Sequence, residues 1–310
     1  MSQQPTAGQR LATALRTVVA ITVTPFDESG AVDPGAYRRL VRRLVDGGVT
    51  AVTPNGNTSE FYALSPEERR RCVDLTVSAA GRGVLVVPGV GLDVASAVAD
   101  ARHAQEAGAS AVMVHQPVHP FRTRQGWLEY HLAIADAVPG LPLVPYVKDA
   151  GIDVDTLREL LRRCPDVVAV KYAVPDPLRF GAVVDELSEF PVTWLCGLAE
   201  HWAPMFAAVG AEGFTSGLVN VDPGRSLRLL ESLHAWDMPA ARAQWCALRE
   251  FEELRARDGS ELNVSVVKES LAQLGLCRAD VRAPISRVPD ADRQALAALL
   301  DRWEPVREAS

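Results

Sequence analysis

The stretch Thr50–Val90, TAVTPNGNTSEFYALSPEERRRCVDLTVSAAGRGVLVVPGV, contains an apolar run, a polar loop, a helical pattern and a second apolar run, in that order. The helical part is marked by Ser65 where an N-cap belongs and by Pro66 at the first helical position, a residue whose φ is already helical. An apolar run, an amphipathic stretch and another apolar run form the rhythm that produces parallel strands covered by helices.

Outward from this unit the rhythm continues over most of the chain. Eight apolar runs are found: Val18–Phe26, Thr50–Asn55, Gly83–Val90, Ser110–Pro117, Leu141–Lys148, Val167–Ala173, Val192–Leu198 and Gly213–Asn220. Asp33 followed by Pro34 repeats the Ser65–Pro66 start signal before the helical stretch PGAYRRLVRRLVDGG. Eight strands in strict alternation predict a closed (β/α)₈ barrel, an α/β TIM barrel, over residues 17–235. A doubly wound sheet would stop at five or six strands and carry a Gly-rich dinucleotide turn, which does not follow the first run. From Met238 onward the pattern is purely helical, so a helical extension over 238–305, with three helices on the outside of the barrel, is expected. About ten residues at the N-terminus and a few at the C-terminus read as loose ends.

With 310 residues, 48% of them apolar, a barrel and its extension use nearly the whole chain, which reads as one domain. A net charge of -7 and no basic stripe argue against nucleic acid as a partner. The five cysteines are scattered, odd in number and without a C-x-x-C pair, which fits reduced thiols better than disulfides or a zinc site. The first residues lack the apolar core of a signal peptide, and no later run reaches the length of a membrane span. A cytoplasmic enzyme without membrane contact is the expectation.

Of the 32 basic residues only three are lysines, Lys148, Lys171 and Lys268, so that 29 are arginines and surface charge is supplied by arginine. Lys268, in the amphipathic stretch NVSVVKESLAQLG, reads as an ordinary solvated residue. Lys171 interrupts the run VVAVKYA, where a parallel barrel strand is buried on both faces. Desolvation there depresses a lysine pKa and makes its amine nucleophilic, which arginine cannot imitate. Taken alone, the residue reads equally well as a strand-end lysine paired with Asp176.

The sixth-run lysine, Tyr146 on the fifth run and the loop GNTSEFYALS together resemble the dihydrodipicolinate synthase and N-acetylneuraminate lyase superfamily of class I aldolases. The resemblance extends from TPFDESGAVD at Thr24 to NVSVVKESLAQLGL near the end. It implies that Lys171 forms an iminium with pyruvate or a longer 2-oxo acid, with Tyr146 as proton shuttle and no cofactor or metal. Thr58 would hold the substrate carboxylate through its hydroxyl, helped by the backbone N–H groups of Thr58 and Ser59, while Asn57 stands where the family has a threonine and interrupts its hydroxyl relay. Glu60 reads as a structural acceptor. The family further implies a homodimer or homotetramer.

The chain departs from the family pattern at two places. The segment HQPVHPF has His119 where the synthases place a relay tyrosine, and PYVKDAGIDV lacks the arginine that holds the aldehyde substrate's carboxylate. The sequence YVKDA and the run Glu60–Leu64 look more like the 5-dehydro-4-deoxyglucarate dehydratase branch. Lys148, two residues beyond Tyr146, faces the same way by strand periodicity and would bind a distal carboxylate or hydroxyl, or else pair with Asp149 at the rim. His119 and Ser216 are further candidates for the pocket wall. His115 and His119 are four apart, as in a metal site, but no carboxylate or third histidine stands near them, and His115 reads as a strand-end residue.

The expectation is a Schiff-base lyase, a dehydratase or aldolase, acting on pyruvate or a 2-oxo-3-deoxy sugar acid. The rivals are condensation of pyruvate with aspartate semialdehyde, as in dihydrodipicolinate synthase itself, and a non-catalytic sugar-acid sensor.

Overall fold

The computed structural model describes residues 4–303. Its strands are β1 (Val18–Ile21), β2 (Ala51–Thr53), β3 (Leu85–Val86), β4 (Gly89–Val90), β5 (Val112–Val114), β6 (Leu143–Val147), β7 (Ala169–Tyr172), β8 (Thr193–Cys196) and β9 (Gly213–Ser216). All of their pairings are parallel, in the order β3-β2-β1-β9-β8-β7-β6-β5-β4.

The two ends of that order, β3 and β4, are halves of the single run Leu85–Val90. Pro88 splits it, because it has no N–H to give to the ladder. The run nevertheless reaches both neighbours: the N–H groups of Val87 and Gly89 donate to Val52 and Pro54, and Met113 donates to the Pro88 carbonyl. The sheet therefore closes into a barrel of eight staves, as the eight apolar runs predict.

Side chains alternate across each stave. Val19, Met113, Val144, Tyr146, Ala169 and Leu195 belong to the inner core, whereas Val18, Ala20, Val52, Val170 and Tyr172 pack outward under the helices. That period of two places Lys171, between Val170 and Tyr172, inside the barrel. The helix starts are chemically uniform: Asp33, Asp93, Asp153, Asp176 and Asp222 each accept backbone N–H bonds from the first helical turn, and Ser65 forms a reciprocal capping box with Glu68.

Two expectations are corrected. The N-terminal segment is a helix, Ala7–Ala14, opened by a capping box between Thr6 and Gln9. Ala12 and Leu15 join the inner core, and Thr193 Oγ1 donates to the Ala12 carbonyl at 2.6 Å, so the segment closes the N-terminal end of the barrel. Lys268 is fully buried. Its helix, Asn263–Gln273, is buried at every residue from Val264 to Leu271, so no face of it is left to water there. The Lys268 Nζ donates to Glu60 Oε1 at 2.7 Å and to the Thr24 carbonyl at 2.9 Å, and lies 4.0 Å from the Phe26 ring centroid.

The extension comprises Met238–Ser260, Asn263–Gln273 and Asp290–Arg302; residues 304 and 305 of the expected span lie outside the described residues. The first of these helices is broken near its end, where Arg257, Asp258 and Gly259 leave helical geometry. Among the described residues no helix is long and apolar enough to cross a membrane.

Candidate active site

A cavity of about 360 Å³ opens at the C-terminal ends of the strands, the face on which barrels of this type carry their chemistry. Its wall includes Thr58, Tyr146, Lys148, Lys171 and Ser216. A cleft of similar volume around Arg16, Glu212, His234 and Trp236 lies at the opposite end of the barrel, away from Lys171.

Lys171 is 3% exposed, and Asp176, the partner considered from sequence, instead caps a helix. Burial pulls the Lys171 amine down to about 7, helped by the charge of Lys148. Its Nζ lies 4.1 Å from the ring centroid of Tyr146, the residue directly opposite it in the β6/β7 register. Its side chain can reach the cavity because residue 197 is glycine. A Cβ there would sit 3.0 Å from Lys171 Cγ and 2.8 Å from Ala173 Cβ.

The phenol of Tyr146 is pushed up by burial, so it holds its proton at neutral pH. The side-chain amide of Asn57 reaches it, Nδ2 to Oη at 3.4 Å, while Asn57 Oδ1 is buried without a partner. Asn57 therefore keeps contact with the tyrosine where a break was expected. Its amide is bifunctional: one end donates and the other accepts.

The loop residues divide their tasks. Thr58 lines the cavity. The Ser59 N–H is spent on the Gly56 carbonyl, and its hydroxyl donates to Thr22 O and accepts from Gly56 N. Ser59 thus holds the loop in shape, and its N–H does not point at a ligand. Glu60 is a structural acceptor: it takes the Arg282 N–H at 2.8 Å in addition to Lys268. Ser216 lies on the wall but donates to Glu200 Oε1 at 2.5 Å and accepts from Val219 N. Burial and nearby Glu252 push the Glu200 carboxyl up.

Lys148 is exposed on the cavity's rim, and Asp149 pairs with Arg122 at 2.7 Å. His119 is not brought to the cavity. It is exposed in the loop after β5 and bonds the backbone of Phe121. His115 donates to the Asn55 carbonyl at 2.8 Å, stacks on Phe61 at 4.2 Å and is driven down to about 3 by burial. Among the described residues no three metal-ligating side chains come together.

Sequence reasoning missed the part of the wall that comes from beyond β9: Glu252, Arg255 and Asn263, together with His201 and Trp202 after β8. A buried Arg–Glu pair spaced i, i+3 in a helix looks like any surface pair in sequence. Only the helix-breaking Asp258–Gly259 hinted at a turn there.

A family model described as "Dihydrodipicolinate synthetase family" matches residues 14–303. The chain is 34% identical, with both chains fully covered, to a 4-hydroxy-tetrahydrodipicolinate synthase of Sorangium cellulosum. Among solved structures it is similar to dihydrodipicolinate synthase from Bacillus clausii, with a TM-score of 0.92, 40% identity and coverage of 95% and 100%. The one from Oceanobacillus iheyensis has the same TM-score of 0.92, with 36% identity and coverage of 96% and 99%.

Proposed function

The chain belongs to the dihydrodipicolinate synthetase family, whose members are lysine-dependent lyases, and on that premise we propose that Lys171 is the amine that captures a 2-oxo acid. The observation that carries this reading is the placement of Lys171 Nζ, buried and 4.1 Å from the Tyr146 ring, in the cavity that Thr58 also lines. With its pKa drawn down to about 7, a large share of the amine is neutral at physiological pH and able to attack the keto carbon. The carbonyl oxygen leaves as water and the nitrogen becomes an iminium, an electron sink for cleavage or elimination at the substrate's later carbons.

Tyr146 supplies the proton that the departing oxygen needs and takes one back from the substrate. Burial keeps the phenol protonated and ready before the substrate arrives, and Asn57 can present either end of its amide to the phenol or the phenolate. Thr58 holds the substrate's own carboxylate. Ser59 and Ser216 support these groups through the bonds described above. His119 has no role in the reading, as it lies away from the cavity.

For the reaction itself we favour dehydration or cleavage of a 2-oxo-3-deoxy sugar acid, the chemistry of the 5-dehydro-4-deoxyglucarate dehydratase branch. Lys148 at the rim and the segment after Tyr146, which lacks the aldehyde-binding arginine, support it. The names of the relatives favour a second reading, condensation of pyruvate with aspartate semialdehyde. A homodimer or homotetramer is part of the proposal, supported by the exposed Val118 and Phe121 in the loop after β5.

Borohydride in the presence of pyruvate should add a stable mass to the protein on the peptide containing Lys171; mass on Lys148 instead would overturn the assignment. A coupled reductase assay with aspartate semialdehyde, run beside 2-oxo-3-deoxy sugar acids, separates the two reactions. Efficient turnover of the semialdehyde would replace the favoured reading with the second. No turnover of any of them, with the acids still bound, would leave a sugar-acid sensor.

A further inference from the structure

Arg255 is 3% exposed, yet it lines the cavity that holds Lys171. It stands in the last regular turn of the helix Met238–Ser260, just before the chain leaves helical geometry at Arg257, Asp258 and Gly259. That break turns the chain back so that Asn263, at the start of the next helix, meets the same guanidinium. Arg255 Nε and Nη2 donate to the Asn263 carbonyl and Oδ1 at 3.3 and 3.1 Å, and Nη1 donates to Glu252 Oε1 at 2.6 Å.

The guanidinium is thus fixed through all three nitrogens, with three of its five N–H donors engaged and one left on each of Nη1 and Nη2. Its Nη2 faces Gly217. A Cβ on Gly217 would sit 2.5 Å from Arg255 Nη2 and 3.1 Å from Thr58 Oγ1. Residue 217 has φ -98°, which any residue adopts, so backbone strain does not demand glycine. What demands it is the space that the guanidinium occupies.

A buried Arg–Glu pair is a poor source of stability, because desolvating both charges offsets their attraction. Here it leaves a fixed, planar guanidinium on the wall of the substrate cavity, with one N–H remaining on each of Nη1 and Nη2. Lys148 adds a second positive charge at the rim. Such a fork matches a carboxylate in shape and charge.

We infer that Arg255, admitted to the cavity by Gly217, recognises a second carboxylate on the substrate and so selects dianionic 2-oxo acids over monoanionic ones. The inference rests on the Lys171 reading and names the substrate class of that same site. It assigns Arg255 to specificity: the group binds substrate remote from the bond that changes.

The test uses two acids of equal length, 2-oxoadipate and 2-oxohexanoate, which differ only in whether the far end is a carboxylate or a methyl group. For each, the concentration that half-saturates borohydride trapping on Lys171 is measured in the full-length protein. The wild type should favour 2-oxoadipate at least tenfold. Arg255→Lys, which keeps a charge for Glu252 but loses the fork, should erase most of that preference and leave 2-oxohexanoate unchanged. Gly217→Ala, whose methyl would crowd Arg255 Nη2 at 2.5 Å and Thr58 Oγ1 at 3.1 Å, should also erase the preference, with a weakening of both acids through Thr58, and gives a second variant should the first misfold; melting curves of both are recorded.

No preference in the wild type, or a preference that survives Gly217→Ala in a folded protein, would overturn the inference while the Lys171 reading stands. Equal weakening of both acids by Arg255→Lys would place Arg255 on the carboxylate they share and overturn it as well. Trapping of neither acid, nor of pyruvate, by the wild type would remove the Lys171 reading and this inference with it.

Discussion

The Lys171 Nζ lies 4.1 Å from the ring centroid of Tyr146, and the two residues are direct partners in the β6/β7 register. Two neighbouring staves therefore bring the proposed nucleophile and its proposed proton partner together with no loop between them. Barrel strands hold such a pair more tightly than loops could. The expected behaviour of the pair follows from its burial.

Trapping by pyruvate and borohydride should rise with pH through a midpoint near 7, where the buried Lys171 amine loses its proton. Because Lys148 contributes to that lowering after burial itself, Lys148→Met should move the midpoint upward and slow trapping at pH 7. The trapping rate measured from pH 5.5 to 9 checks both; an unchanged midpoint in the variant would show that Lys148 is too well screened to matter.

Burying a lysine of lowered pKa also costs stability. The folded protein gives up this proton near pH 7, while the unfolded chain keeps it up to the ordinary lysine value of 10.5, so the cost is full below about 7 and fades as pH rises toward 10.5. Lys171→Met should abolish trapping and raise the melting temperature at pH 7, by a stabilisation on the order of a few kcal/mol. The difference between variant and wild type should narrow as calorimetry moves from pH 7 to pH 10.

Tyr146→Phe should leave imine trapping by pyruvate detectable and lower kcat by about 10²- to 10⁴-fold, with little change in KM. The lost hydroxyl also strands the Asn57 amide. Steady-state kinetics and melting curves on one preparation separate the effects; near-normal turnover with lowered stability would make the tyrosine structural.

Gly197→Ala should act chiefly through Lys171. The new methyl would meet Lys171 Cγ at 3.0 Å, Ala173 Cβ at 2.8 Å and the Tyr172 carbonyl at 3.0 Å, so the lysine's stem must shift. We expect a loss of about 1–3 kcal/mol in stability and a clear fall in trapping rate. An unaffected rate would mean that the stem moves aside without displacing Nζ.

Lys268→Met should destabilise the fold by about 3–5 kcal/mol, because Glu60 would keep a buried charge with only the Arg282 N–H for compensation. Adding Glu60→Gln should restore much of that loss. Urea unfolding of the two single variants and the double variant gives the coupling directly; additive losses would deny that the pair acts as a unit.

The sequence could show the eight staves, because each is an apolar run flanked by start signals such as Ser65–Pro66. Tyr146 was joined to Lys171 in the sequence only through the family resemblance, since period-two alternation fixes a face and not the register between two staves. Pro88 hid the split of the third stave, as an absent N–H changes a ladder without changing hydropathy. Lys268 was misread because amphipathic periodicity says nothing about a helix covered on all sides. Arg255 was invisible because its neighbours Thr58 and Gly217 are far away in sequence, and a helix that bends over a barrel mouth has the same pattern as one lying on its outside. The apolar N-terminal helix is short enough to resemble a tail until Ala12 and Leu15 are seen to complete the inner core.

The placement of Lys148 on the rim has a practical consequence for spectroscopy. Of the three lysines, Lys268 is locked into an ion pair and Lys171 is reached only through the cavity, so Lys148 is the one side-chain amine open to bulk solvent. Because Lys171 would also condense with carbonyl compounds, reductive methylation with ¹³C-formaldehyde would label it and the chain's terminal amine, and beside those signals the mouth of the cavity would be marked by that of Lys148. Its chemical shift would follow the arrival of an anionic ligand in real time, without any substitution in the protein.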